Sequence, residues 1–512
     1  MIGAGLGAVR RFHSGILLTL LLFTAVFSLA AVPPTDADLW WHLANGRLLV
    51  QLRGWPAVDA YSFSAVGHPW VMHEWLGDLL MYGIYRLGGL PLLVLLFAAL
   101  VTLGAVCLYR LLTGAGLHGT AAAALTLAGA LAGSTSWGAR PQVFNLALAG
   151  ILLLGLRAHR RGRLGAFWLV PYLWLWANLH SGFLVGVILA ALAAAGDGFD
   201  AWRAGDREAQ RGSRRVAYAT LGGLGLSLVN PYGLQAVLFP LGTLTSPLIQ
   251  NAIQEWASPD FHSLAGRLLE ALLFLVILGL ATRRVRATTS EWLSMLALLV
   301  LALASQRHVP LFVLAAAPLI GRCGQALVDQ LASVVPLPAP ASGDRVAFRA
   351  QVLAPRRPTP ALGLVNLALL VVVGAGMLAY RALPNLEPGR EQAAIAGAFP
   401  THAAAALAGM GRPVRVFNEY GWGGYLVWTG YPSTRVVIDG RVEVYGDAVF
   451  RDYLAVNALV PGWRQVLDRY QPDAVLFPTG HPLIALLQAE GSWRTASTDP
   501  VATLLVRADR AP

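Results

Sequence analysis

Ile16-Leu17-Leu18-Thr19-Leu20-Leu21-Leu22-Phe23-Thr24-Ala25-Val26-Phe27-Ser28-Leu29-Ala30-Ala31-Val32 runs straight into Pro33-Pro34-Thr35-Asp36-Ala37-Asp38-Leu39-Trp40-Trp41-His42. The first part is long and apolar enough to cross a bilayer. Arg10 and Arg11 precede it, and the further apolar runs downstream favour a first transmembrane helix over a cleaved signal, with its N-terminus inside. The second part sets two carboxylates, two tryptophans and a histidine where the chain leaves the membrane. Tryptophan suits that interface, but a carboxylate there is costly unless a positive group meets it.

The rest of the chain repeats the apolar theme. Of its 512 residues 56% are hydrophobic and 13% charged, against roughly 25% charged in a soluble domain. Further spans are expected near 88–110, 119–134, 141–157, 164–178, 181–196, 216–230, 267–282, 289–304, 309–321 and 361–380, about eleven in all. The fold class is therefore a polytopic α-helical membrane protein.

The 38 basic residues are all arginine. This excludes a P-loop lysine, a Schiff-base lysine and a lysine general base. The arginines gather in alternate short loops: Arg110; Arg157, Arg160, Arg161 and Arg163; Arg203, Arg207, Arg211, Arg214 and Arg215; Arg283, Arg284 and Arg286; Arg345, Arg349, Arg356 and Arg357. That is the positive-inside pattern of a multispanning membrane protein, with no nucleic-acid partner implied. Cys107 and Cys323 are far apart in sequence and suggest neither a zinc site nor a disulfide framework.

Residues 1–382 read as the transmembrane domain, with 33–75 as its first outer loop and 322–360 as a Pro- and Ala-rich cytoplasmic linker. Residues 383–512 read as a small extracytoplasmic α/β domain. Its expected strands are Arg415–Phe417, Arg435–Ile438 and Ala474–Phe477, with a hairpin about Asp499-Pro500.

The inner loops hold arginine, glycine and alanine, whereas the motif-like clusters fall on the other side. They are Asp36 and Asp38 with His42; His73-Glu74-Trp75; Arg140-Pro141-Gln142; Asn178-Leu179-His180; Asn230-Pro231-Tyr232-Gly233; Gln254-Glu255-Trp256; and Gln306-Arg307-His308. Ionisable residues at membrane level are functional candidates. Plainer readings stand beside this one. Trp40, Trp41, Trp70, Trp75 and Trp256 suit an interfacial belt, and Asn230–Gly233 suits a helix-ending turn. His180 sits at a turn, Arg140 and Arg307 can snorkel, and Asp36 and Asp38 can cap a helix.

Asp36-x-Asp38-x-Trp40-Trp41-His42, Trp55-Pro56-x-x-Asp59-x-Tyr61-Ser62-Phe63 and Trp70-x-x-His73-Glu74-Trp75-Leu76 resemble a family of bacterial multispanning membrane proteins. That family is itself similar to the GT-C superfamily of glycosyltransferases, which includes oligosaccharyltransferases and protein mannosyltransferases. The resemblance extends through Ala139–Gln142, Asn178-x-His180, Asn230–Gly233, Asn418-x-Tyr420-x-Trp422-Gly423-Gly424-Tyr425 and Ile438-Asp439-Gly440-Arg441. The Trp-Trp-Asp motif of oligosaccharyltransferase soluble domains is missing, which argues against peptide-asparagine acceptors.

The resemblance implies transfer of a sugar from a polyprenyl-phosphate or polyprenyl-diphosphate carrier to a glycan, lipid or protein acceptor on the outer face. It implies Asp36, Asp38 and Glu74 as catalytic carboxylates, with a divalent cation (Mg or Mn) held by Asp36 and Asp38 as one option. Arg140 and Arg307 would meet the lipid phosphate. His42, His73, His180, His308 and Glu255 would bind substrate. Two other classes compete: a transporter or flippase of a lipid-linked envelope precursor, and a non-catalytic envelope-assembly protein. A transporter calls for ionisable residues at mid-membrane and helices broken in corresponding halves, which the sequence shows little of. In the assembly reading, Tyr420–Tyr425 and Asp439–Arg441 would face a polymer or simply form turns.

Overall fold

Each expected apolar run is carried by a helix in the computed structural model, which describes residues 14–246, 248, 250, 253–334 and 359–508. Among the described residues six helices are long and apolar enough to cross a membrane: Trp75–Gly114, Pro141–Arg160, Phe183–Arg203, Leu264–Ala281, Gln306–Leu331 and Ala361–Leu386. Ser14–Ala30, Gly119–Ala132 and Thr289–Ala304 are shorter apolar helices. The chain is a membrane-embedded multi-pass protein. The helix over Val309–Val334 runs well into the segment expected to be linker, and the rest of that segment, 335–358, lies outside the described residues.

The helix ends sort into two sets. At one end, Arg157 donates to the carbonyls of Leu111 and Gly114, Arg160 pairs with Asp197 at 2.6 Å, and Arg322 pairs with Glu291 at 2.6 Å. Glu291 also closes a capping box with Thr288, so the helix Thr289–Ala304 starts at this arginine-rich end. The polar clusters singled out above gather at the opposite end.

The first loop is more structured than its polar sequence suggests. Helix Asp38–Leu52 buries Leu39, Trp40, His42 and Leu43, packing on the start of helix Trp75–Gly114. That long helix bends at Gly88–Gly89, where Gly89 has φ 66°, a left-handed conformation that favours glycine. The portion before the bend lies beside the first loop. Asn230–Gly233 forms the expected turn, and Tyr232 Oη donates to the Pro56 carbonyl at 2.9 Å. Two tryptophans read as interfacial are core residues instead. Trp40 packs edge-on to Phe399 and Tyr425, and Trp70 is 4% exposed.

The C-terminal portion contains a five-stranded sheet in the order β2-β1-β3-β5-β4. The strands are β1 Val414–Asn418, β2 Thr434–Val436, β3 Ala474–Pro478, β4 Trp493–Thr498 and β5 Ala502–Arg507. β1 runs parallel to β2 and β3, while β5 is antiparallel to β3 and to β4.

This sheet docks directly on the first loop. Ser62 bridges to Val436 in parallel register, and Phe63 N donates to the Val436 carbonyl at 3.1 Å. The joint is centred on Arg441, whose side chain is 3% exposed. It pairs with Asp59 at 2.9 Å and Asp439 at 2.6 Å, and lies 4.7 Å from the Tyr61 ring and 4.5 Å from that of Trp70. Ser62 donates to Asp59, and Tyr445 to Asp439. Asp439-Gly440-Arg441 is therefore a turn with a buried ion network, which a solvent-exposed turn would not need.

Removing one member of a buried ion pair costs about 3–5 kcal/mol, because its partner is left charged and dry. Arg441→Met should lower the unfolding temperature of the full chain and expose the first loop to protease. An unchanged melting curve and proteolytic pattern would contradict this role.

Candidate active site

All ten residues singled out from the sequence line one cavity of about 1440 Å³: Asp36, Asp38, His42, His73, Glu74, Arg140, His180, Glu255, Arg307 and His308. They come from the first loop, the turn before helix Phe144–Arg160, the turn after Leu179, the segment around Glu255 and the turn before Val309. Leu184, Ile188, Leu301 and Leu311, from apolar helices, continue the wall. Gly440, Arg441, Val442 and Glu443 of the C-terminal portion close another side. A Cβ at Gly440 would lie 2.4 Å from Asp38 Oδ1, so the turn reaches Asp38 only because residue 440 has no side chain.

Arg140 organises the first of two polar centres. Its Nε lies 3.4 Å from Asp36 Oδ2, one terminal nitrogen 3.3 Å from Asp38 Oδ2, and the other 2.7 Å from Glu255 Oε2. Arg307 reaches the other oxygen of Glu255 at 3.5 Å, donates to Gln142 Oε1 at 3.4 Å and stacks 4.5 Å from the Trp256 ring. The remaining oxygens of the aspartates are also engaged. Asp36 Oδ1 accepts from the Asp38 backbone N–H, and Asp38 Oδ1 accepts from Trp41 Nε1, each at 3.0 Å.

Burial, and then the neighbouring Asp36, push the Asp38 carboxyl up to about 6 against the pull of Arg140. Burial acts the same way on Glu255, but Arg307 and Arg140 outweigh it and hold that carboxyl below its usual range.

Glu74 organises the second centre and is surrounded by imidazoles. Nε2 of His73 and of His180 lie 3.1 and 3.2 Å from its Oε1, and Nε2 of His42 lies 3.6 Å from its Oε2. The hydrogen bonds assign the histidine states. Trp176 Nε1 donates to Asn145 Oδ1 at 2.8 Å, which turns the Asn145 amide nitrogen toward His180 Nδ1 at 2.9 Å. Gly182 N also donates to that Nδ1, at 2.7 Å. With two donors on Nδ1, His180 carries its proton on Nε2 and is neutral. Burial lowers its pKa to about 4.

His42 faces carboxylates at both nitrogens, with Asp78 Oδ1 2.5 Å from Nδ1. Burial disfavours its charge, but Asp78 and Glu74 overcome this and raise its pKa. His73, stacked 3.7 Å from Phe239, is likewise raised by Glu74 against burial. Burial opposes ionisation of Glu74, yet His180, His73 and His42 together depress its pKa strongly. The carboxylates of Glu74 and Asp78 thus give every imidazole of this centre a fixed partner.

Three members of these centres were not singled out from the sequence: Asp78, which accepts from His42 and from Asn45; Asn45 itself; and Asn145, which orients His180. Gln142, from the Arg140-Pro141-Gln142 cluster, accepts from Arg307. Asp78 carried a legible signal, since it lies one helical turn after Glu74.

A divalent cation does not fit Asp36 and Asp38 as they are arranged. Their outer oxygens face the guanidinium of Arg140, and their inner ones accept hydrogen bonds. Among the described residues no group of three or more His, Cys, Asp or Glu side chains is set to hold a metal ion.

No family model matches the chain, and no curated protein is similar to it. Among solved structures it is similar to the archaeal oligosaccharyltransferase AglB from Archaeoglobus fulgidus, in complex with an inhibitory peptide and a dolichol-phosphate. The identity is 12% and the TM-score 0.50, over 97% of this chain and 75% of that one. ArnT from Cupriavidus metallidurans bound to undecaprenyl phosphate matches at 15% identity and TM-score 0.48, over 97% of this chain and 98% of that one. ArnT in the apo state matches at 14% and 0.49, over 98% of both chains. At such identities the likeness is one of fold alone, and AglB carries it.

The Glu74 centre predicts a direction for pH. A histidine whose folded pKa is raised stabilises the fold fully below its unfolded value, about 6.5, and loses that contribution as pH rises through the folded value. Thermal unfolding of the full chain should therefore show stability falling as pH climbs above about 6.5. In Glu74→Gln the folded values of His42 and His73 drop, so the fall should be smaller and should be complete at lower pH. Identical pH profiles for the two proteins would refute the assignment.

Proposed function

We propose that the protein is a membrane glycosyltransferase that moves a sugar from a polyprenyl-phosphate or polyprenyl-diphosphate carrier to an acceptor on the outer face of a bacterial plasma membrane. The observation that carries the proposal is the convergence of acids and arginines on one cavity whose wall continues into apolar helices. Such a cavity suits a substrate with a charged head and a long apolar tail. The GT-C-like fold supports the same reading.

Asp38 is the residue best suited to take the acceptor proton. Its pKa of about 6 leaves it ionised near neutrality and still basic. The acceptor oxygen attacks the anomeric carbon and gives its proton to Asp38, while the bond from that carbon to the phosphate oxygen breaks and the phosphate departs with the electron pair. Arg307 is placed to balance the departing charge. It shares one carboxylate, whereas Arg140 is shared among three. His308 stands beside it with a buried Nδ1 that has no hydrogen-bond partner among the described residues. Asp36 sets the basicity of Asp38 through its charge and caps the turn into helix Asp38–Leu52. Glu74, wrapped in histidines, holds the first loop in place.

The test is transfer from a radiolabelled polyprenyl-linked sugar by the purified full chain. Asp38→Asn should cut the rate about 10²–10⁴-fold, the usual worth of a general base. The wild-type rate should fall on the acid side with a midpoint near the Asp38 value of about 6. Asp36→Asn should move that midpoint lower. Unchanged transfer in both variants would end the catalytic assignment.

A further inference from the structure

We infer that Arg140 is the resident cation of this site, occupying the place where a divalent metal would otherwise balance Asp36, Asp38 and Glu255. The function assigned to that charge rests on the glycosyltransferase reading; the occupancy itself rests on geometry alone.

Each of the three guanidinium nitrogens faces a different carboxylate, at 3.4, 3.3 and 2.7 Å. The carboxylates come from the first loop and from a segment more than two hundred residues away, and Arg140 comes from a third place in the chain. A metal ion would gather oxygens at roughly 2.0–2.6 Å, whereas the planar guanidinium holds them apart. Arginine suits this task because its charge is permanent and its donors point in three directions. With both arginines present, the centre carries one excess negative charge when all acids are ionised. Without Arg140 it carries two, which one divalent ion would neutralise. The Arg140 side chain is 15% exposed, so its removal would leave three acids in a largely dry setting, a strong incentive to recruit a cation.

The test uses the full chain in detergent, titrated with Mn²⁺ alone and followed by electron paramagnetic resonance and by thermal unfolding. Wild type should show no saturable Mn²⁺ site that depends on Asp36 or Asp38. Arg140→Ala should gain about one site per chain, binding at least about tenfold more tightly than wild type, and Mn²⁺ should raise its melting temperature. Adding Asp36→Asn should abolish both effects. Arg140→Gln, which keeps the bulk of the side chain, should gain the same site and serves if Arg140→Ala does not fold. A wild-type Mn²⁺ site lost in Asp38→Asn, or a folded Arg140→Gln protein that binds none, would overturn the inference. Neither readout requires sugar transfer, so a failure of the proposed activity leaves this result to be decided on its own.

Discussion

One guanidinium shared by three carboxylates fixes where the loops of this protein meet. Asp36 and Asp38, Arg140 and Glu255 are brought together by charges that would each be expensive to bury alone. Taking any one of them away leaves the others uncompensated while they remain largely buried. The first loop, the turn before helix Phe144–Arg160 and the segment around Glu255 therefore hold one another in place. The apolar helices set the distance between the two ends of the protein, and this ion network decides what is assembled at one of them.

Arg441 applies the same principle at the boundary with the C-terminal sheet. There, too, one arginine joins acids from distant segments, Asp59 and Asp439, and it is further enclosed between the rings of Tyr61 and Trp70. A chain without lysine must use arginine at both places, and the forked, permanently charged side chain serves multi-acid sites better than an ammonium group. The two networks share the first loop: Asp38 belongs to one and Asp59 to the other. Docking of the C-terminal portion and the shape of the cavity are consequently coupled through about twenty residues of chain, with Gly440 packed directly on Asp38.

Much of this was legible in the sequence because it follows local rules. Apolar runs located the helices, arginine spacing separated the two ends, and the residues that broke the apolar pattern at one end proved to line one cavity. The pairings were not legible. Glu255 lies 115 positions from Arg140, and Arg441 lies 382 positions from Asp59; no local periodicity links them. Trp40 and Trp70 suited an interfacial belt by residue type, but the first loop packs on the C-terminal portion, which buries Trp40 against Phe399 and Tyr425 and Trp70 against Arg441. Asp78 stands one turn after Glu74, but its pairing was not legible, because its partner His42 comes from a different element.

The placement of charge also separates the competing readings. A carrier that alternates access needs ionisable groups that are reached from both sides, near the middle of the membrane. Here the arginine pairs with Asp197 and Glu291 lie at one end, and the acids and histidines collect at the other. At that end the two centres differ in kind. The Glu74 centre is satisfied, with each imidazole held by a fixed partner, so it has nothing left to offer a substrate except support. The Arg140 centre has one more acid than arginine, and its Asp38 carboxyl is pushed up to about 6. An acid in that condition, at the edge of a cavity open to apolar helices, is fitted to exchange a proton with a bound molecule, which neither a passive scaffold nor a pore requires.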